Sequence, residues 1–207
     1  MWNRSEDQIT LVLIRHGATK ANKQHRYLGK TDEALSEDGK QELLAFTKHQ
    51  CYPPVDILFT SPMKRCIQTA GILYPDLQPL QITDWTEMDF GVFEGKNYTE
   101  LCRDERYQAW IDSNGTLPFP GGESREDYIL RCEKGFGQMQ KEVLQLQKSR
   151  KINTIGAIVH GGTIMALLSR FYGGDYFDYQ VPNGKGYICT VKDRNGTPEF
   201  ITINKLS

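Results

Sequence analysis

No stretch of this sequence is long and apolar enough to cross a bilayer. Runs such as residues 164–168 fall far short of the roughly 20 residues a spanning helix needs. The polar start, Met1 to Gln8, lacks the apolar segment of a secretory signal. Paired cysteines are also missing. Cys51, Cys66, Cys102, Cys132 and Cys189 are odd in number, widely spaced and without any C-x-x-C pair, which argues against a disulfide framework or a zinc knuckle. They predict free thiols in a reducing compartment, and a cytoplasmic protein is expected. Neither charge sign dominates, since 25 Lys and Arg face 26 Asp and Glu with no long block of either. No nucleic-acid or membrane partner is therefore expected, and any basic site must be local. There is no repeat and no low-complexity linker, so the 207 residues are read as one domain, 1–207, of open oligomeric state.

What is present reads as strands alternating with helices. The apolar run Ile9 to Ile14 stops abruptly at Arg15-His16-Gly17, as a buried strand does at a sheet's edge. Ser36 opens a helix carrying Leu43, Leu44 and Thr47 on one side, closed by Pro53-Pro54. A second strand spans Val55 to Phe59, a helix Met63 to Leu73, and a third short strand lies near Leu80 to Thr83. An aromatic-rich insert, about 96–123, looks like a lid, and Ser124 caps a long amphipathic helix ending near Lys148. A fourth strand, Thr154 to Val159, stops at His160-Gly161-Gly162, with Thr163 to Phe171 helical behind it. Asn195-Gly196 signals a hairpin between Tyr187 to Lys192 and Glu199 to Ile203. The expected fold is α/β: a three-layer α/β/α sandwich around a mainly parallel sheet with an antiparallel edge. Its ligand site should lie at the carboxyl ends of the strands.

His16 and His160 occupy equivalent places, each leaving a buried strand and each followed by glycine. If the strands are neighbours, both imidazoles enter one crevice, and the glycines let backbone N–H groups approach an anion. Arg15 adds a guanidinium, Arg65 enters from the first turn of the helix after the second strand, and Asn22 offers an amide. Singly, such residues are usually satisfied polar or ion-paired side chains; together they supply the donors that a dianionic phosphate needs. Glu87 is a weaker candidate beside Asp84, Asp89 and Glu94. His25, in a polar loop, and His49, at a helix end, are read as surface residues.

The run Leu13-Ile14-Arg15-His16-Gly17-Ala18-Thr19-Lys20-Ala21-Asn22 resembles the signature of the histidine phosphatase superfamily, the phosphoglycerate-mutase-like proteins. Three more motifs follow in the family's order: Ser61 to Ala70, Glu87 to Gly91 with Phe93-Glu94-Gly95, and Val159-His160-Gly161-Gly162. Ala18 stands where the mutases commonly have glutamate. The resemblance implies a phosphate pocket of Arg15, Asn22, Arg65 and His160, with Gly161 beside it. It also implies His16 as nucleophile, Glu87 as proton donor, no cofactor and no metal. A small phosphorylated metabolite is the expected partner.

Rival chemistries fit less well. His16, Glu87 and His160 would make a two-histidine, one-carboxylate metal site, but two arginines in the same pocket repel a cation. A cysteine phosphatase needs arginine six residues after its nucleophile; Ile57, Ile72, Gln108, Gln138 and Asn195 stand there. Gly91 to Asn97 is one residue short of a nucleotide P-loop and lacks its Ser or Thr. A noncatalytic phospho-ligand module is disfavoured by the intact motif set. Against the longer cationic insert that the resemblance implies for a mutase, the region here is shorter and Lys96, Arg103 and Arg106 are outnumbered by Glu94, Glu100, Asp104, Glu105 and Asp112, so hydrolysis is expected. Phe90, Phe93, Tyr98, Tyr107, Trp110 and Phe119 are candidates to stack on a ring or fill a core. Phe90-Gly91, Trp110 and Pro120 to Ser124 resemble the alpha-ribazole phosphatases of cobalamin nucleotide-loop assembly. They point to alpha-ribazole 5′-phosphate as substrate, with a broad phosphomonoesterase as the alternative.

Overall fold

The computed structural model describes residues 8–48, 52–194 and 197–206. In chain order the elements are β1 (Ile9–Arg15), α1 (Lys20–Lys23), α2 (Glu37–Lys48), β2 (Ile57–Thr60), α3 (Lys64–Leu73) and β3 (Leu80–Gln81). Then come α4 (Tyr98–Leu101), α5 (Glu105–Asp112), α6 (Arg125–Leu146), β4 (Thr154–Val159), α7 (Gly161–Phe171), β5 (Gly186–Arg194) and β6 (Thr197–Leu206). One sheet runs in the order β3-β2-β4-β1-β5-β6; the first four strands are parallel, and β5 and β6 are antiparallel additions. Asn195 and Gly196, read as a hairpin signal, lie outside the described residues, as do His49 and Cys51. The strands on either side of them, β5 and β6, pair antiparallel.

Side chains alternate across a strand, so each buried strand feeds two cores. In β1, Leu11 and Leu13 join Phe59, Ala157 and the helical residues Phe136 and Met139 on one face. Val12 and Ile14 join Leu58, Ile158, Leu43, Cys66 and Leu73 on the other. Helices α2 and α3 cover the second face, α6 and α7 the first, and three layers result. Both helix starts read from serine are capped: Gly39 N donates to Ser36 Oγ at 3.0 Å and Asp127 N to Ser124 Oγ at 3.0 Å.

Two local expectations need correction. Leu43 is buried at 1% exposure but Leu44 is 41% exposed, because consecutive helical residues lie about 100° apart and only one can face the sheet. The third strand stops at Gln81, and the chain turns through a short 3₁₀ segment, Thr83–Trp85, that drives Trp85 into the core. Its indole Nε1 donates to Cys132 O at 3.3 Å, and its ring lies against Gly135 of α6.

That packing gives the two glycines of α6 opposite roles. A Cβ on Gly135 would sit 2.6 Å from the Trp85 ring, whereas one on Gly137 meets nothing within 4 Å. Alanine gains about 1 kcal/mol of helix propensity at either site, but overpacking a core costs about 1–3 kcal/mol. Gly137→Ala should raise the melting temperature by about 2–4 °C and Gly135→Ala should lower it, and calorimetry on the two variants checks the difference in sign.

Candidate active site

The site is set by the pairing of β1 with β4. Arg15 stands opposite Val159 in parallel register, and His16 N continues the ladder by donating to Val159 O at 2.9 Å. His16 and His160 therefore leave neighbouring strands at the same level, with ring centroids 5.2 Å apart. His16 is 3% exposed and its Nδ1 lies 2.7 Å from Gly17 O. A carbonyl only accepts, so Nδ1 carries the proton and Nε2 keeps its lone pair. Burial first, then Arg65 and Arg15, hold the His16 pKa well below its ordinary value. His160, fully buried, is depressed in the same direction by burial, then by Arg65, His16 and Arg15.

Arg65, in the first turn of α3, is fully buried. Its Nε lies 3.3 Å from His160 Nδ1, its Nη1 donates to Thr31 O at 2.9 Å, and its Nη2 to Gly29 O at 3.0 Å. Carbonyls thus replace the water lost by a buried cation. The loop that offers them is held by Glu94, which accepts from Gly29 N and Thr31 N, each at 3.0 Å. Arg15 donates through Nη1 to Val181 O at 2.8 Å, but its buried Nε has no partner among the described residues. That orphan donor faces Gly161, where a Cβ would come within 3.4 Å of it.

Glu87 is fixed from several sides. Its Oε1 accepts from Tyr128 OH at 2.8 Å and Met88 N at 2.9 Å, and its Oε2 lies 3.8 Å from His160 Nδ1. Burial raises the Tyr128 phenol well above its ordinary pKa, so it stays protonated and donates. Gly162 makes room, since a Cβ there would lie 2.6 Å from Glu87 Oε1. Behind this, Arg131 of α6 binds Glu123 through two nitrogens, at 2.9 and 2.8 Å, and donates to Asp84 O, Thr86 O and Glu87 O. Thus α6 holds the backbone that carries Glu87.

Arg15, His16, Arg65, Glu87, His160 and Gly161 are therefore brought together. Asn22 joins through an intermediary: Asn183 Nδ2 donates to Asn22 Oδ1 at 3.2 Å and to His16 O at 3.0 Å. Asn22 Oδ1 also accepts from Thr19 N, so its amide nitrogen is the end left to meet an anion. One expectation is corrected. The Gly17 amide donates to Thr69 Oγ1 at 3.0 Å, and a Cβ at Gly17 would strike Leu43 at 2.6 Å, so this glycine serves packing against α2. Ser61, whose Oγ lies 2.8 Å from His160 Nε2, opens the second motif but has no role legible there, and nothing local to Tyr128, Arg131 and Asn183 signals a site. Cys66 Sγ lies 3.8 Å from the same nitrogen, and burial pushes its thiol up to about 12.

A cavity of about 810 Å³ reaches this cluster at Arg15, Glu87, Gly161 and Gly162. One wall is aromatic: Tyr27, Phe90, Trp110 and Phe119, linked by edge-to-face and tilted ring contacts of 4.8–5.1 Å. Phe93 and Tyr107 instead fill the core, and Tyr98 is 62% exposed. Tyr176, Phe177 and Met165 add to the lining from outside the insert. Lys96, Arg103, Arg106 and the acidic residues weighed against them do not line the cavity, so their balance does not set its charge.

A doubly covered, mainly parallel sheet with histidines at the ends of two adjacent strands is the phosphoglycerate-mutase-like fold. Residues 11–205 match the histidine phosphatase superfamily (branch 1), and the chain belongs to that family of phosphatases and mutases. It is 32% identical over 167 residues to the uncharacterized phosphatase PhoE of Bacillus subtilis, spanning 80% of this chain and 78% of that one. It is 31% identical over 166 residues to the 2,3-bisphosphoglycerate-dependent phosphoglycerate mutase 2 of Gloeobacter violaceus, spanning 76% and 73%. The crystal structure of the alpha-ribazole phosphatase from Shigella flexneri superimposes with a TM-score of 0.72 over 96% of this chain and 98% of that one. At 22% identity this is a likeness of fold. Among the described residues no helix is long and apolar enough to cross a membrane.

Two buried neutral histidines make stability depend on pH. Both folded pKa values lie below the unfolded value of about 6.5, so under that pH the unfolded chain binds protons that the native site refuses. Stability should be flat above about pH 7. It should fall as pH drops below about 6.5, by up to about 1.4 kcal/mol per pH unit for each histidine. Urea titrations at pH 7.5 and 5.5 check this, and His16→Gln should flatten the slope.

Proposed function

We propose that the protein hydrolyses phosphate monoesters through a phosphohistidine on His16. The observation that carries this reading is the Nδ1–H bond to Gly17 O, which leaves Nε2 of a neutral imidazole unprotonated among guanidiniums. In the first step Nε2 attacks phosphorus and the ester P–O bond breaks, while Glu87 gives its proton to the departing oxygen. Because Oε1 already accepts two hydrogen bonds, that proton is carried on Oε2. In the second step Glu87 takes a proton from water, whose oxygen attacks phosphorus as the P–N bond breaks. Arg15, through its unpartnered Nε, and Arg65 stabilise charge on the equatorial oxygens, with Asn22 and the Gly161 N–H. His160 accepts from Arg65 Nε at Nδ1 and so carries its proton on Nε2, toward Ser61 Oγ, which aims the Arg65 guanidinium at the same oxygens.

Hydrolysis is favoured over phosphoglycerate mutation by the cavity's charge. Beyond Arg15, Arg125 is its one cationic lining residue among those described, too few for a bisphosphorylated cofactor. The aromatic wall supports substrates with a planar, apolar body. Alpha-ribazole 5′-phosphate is the narrow candidate, and a broad phosphomonoesterase the alternative.

Rapid quenching with labelled substrate should trap an acid-labile, base-stable adduct that His16→Ala abolishes; near-normal turnover by that variant would overturn the mechanism. Glu87→Gln should cut kcat for alkyl phosphates by about 10²–10³-fold while phosphorylation by an activated aryl phosphate falls much less. Equal losses on both would remove Glu87 from proton transfer.

A further inference from the structure

The cavity has three charged lining residues, Arg15, Glu87 and Arg125, and the reaction uses only the first two. Arg125 stands at the first position of α6, where the helix dipole disfavours a cation, so local helix energetics do not account for it. Among the described residues it forms no ion pair. Its guanidinium carbon lies 5.6 Å from the Tyr176 ring centre and 5.8 Å from that of Phe177, and Nη1 makes one long bond, 3.4 Å, to Asn114 O. Glu126, Asp175 and Asp178 share a neighbouring hollow with it, none within ion-pairing range. Aromatic faces steer a guanidinium without neutralising it, and most of its five N–H donors remain available.

We infer that Arg125 is an anion-recognition residue for the end of the substrate remote from the transferred phosphate. It selects phosphomonoesters that carry a second anionic group, a carboxylate or another phosphate. A guanidinium binds either through paired, charge-assisted hydrogen bonds, and both are rewarded more in a part-enclosed cavity than in water. The inference rests on the phosphatase reading and narrows it. Alpha-ribazole 5′-phosphate has an uncharged ring at its far end, so the inference competes with that substrate. It does not revive mutase chemistry, because one arginine holds one anion.

The test uses phenyl phosphate, 4-carboxyphenyl phosphate, 1,4-phenylene bisphosphate and alpha-ribazole 5′-phosphate on the wild-type protein, Arg125→Gln and Arg125→Lys. Leaving-group differences cancel when each substrate is compared between proteins. Arg125→Gln should lower kcat/KM for at least one of the two anionic compounds by about tenfold or more and leave phenyl phosphate and alpha-ribazole 5′-phosphate within about twofold. Arg125→Lys should recover part of the loss, since it keeps the charge but not the planar fork. Which anionic compound responds separates carboxylate from phosphate. Equal effects on all four compounds, or none, would overturn the assignment. Calorimetric binding of the same compounds to His16→Ala, with and without Arg125→Gln, judges Arg125 without turnover. A wild-type protein that hydrolyses none of them would overturn the phosphatase reading, and these affinities would still decide the residue's role.

Discussion

Everything in the site depends on the register of β1 against β4. Side chains on a strand alternate faces, so a slip of one residue would turn either histidine away from the other and exchange the apolar sets meant for the two cores. Leu11 and Leu13 belong to one core, and Val12 and Ile14 to the other. The cost of misplacing these four side chains is what fixes His16 beside His160. The chemistry therefore inherits its precision from the packing of aliphatic residues that never meet a ligand.

The second constraint is dielectric. A fully buried guanidinium next to two buried imidazoles persists only if each group is neutral or well solvated by protein. Here the imidazoles are held neutral, and Arg65 is cradled by the carbonyls of Gly29 and Thr31 in a loop tied down by Glu94. The carboxylate side is fixed separately. The half-buried Arg131–Glu123 pair is bidentate and also gathers three backbone carbonyls around Glu87, which sets it apart from an exposed ion pair. Nucleophile and acid are thus positioned by different elements that meet at His160.

How much of this is legible in the sequence follows from how local each signal is. A strand ending in Arg-His-Gly or Val-His-Gly announces itself within three residues, and so does the serine that caps α2 or α6. Tyr128 and Arg131 lie three residues apart inside an ordinary amphipathic helix, and only the tertiary path of the Glu87 segment gives them meaning. Asn183 and Ser61 act on residues more than 90 positions away. Gly17 shows the converse, a motif glycine whose local signal suggested an anion and whose fold assigns it to packing. The charges of the insert misdirect because composition carries no information about which side chains face the cavity.

The aromatic wall has an evolutionary consequence. Most of it comes from the segment between Glu87 and α6, and both ends of that segment are fastened independently by the Arg131 clamp. With Glu94 kept to tie down the loop that cradles Arg65, the remainder from Lys96 to Gly122 can lengthen, shorten or exchange its rings without disturbing Glu87 or the strand-end histidines. Lineages built on this scaffold can therefore explore new substrates by drift in one loop while their reactive machinery stays under purifying selection.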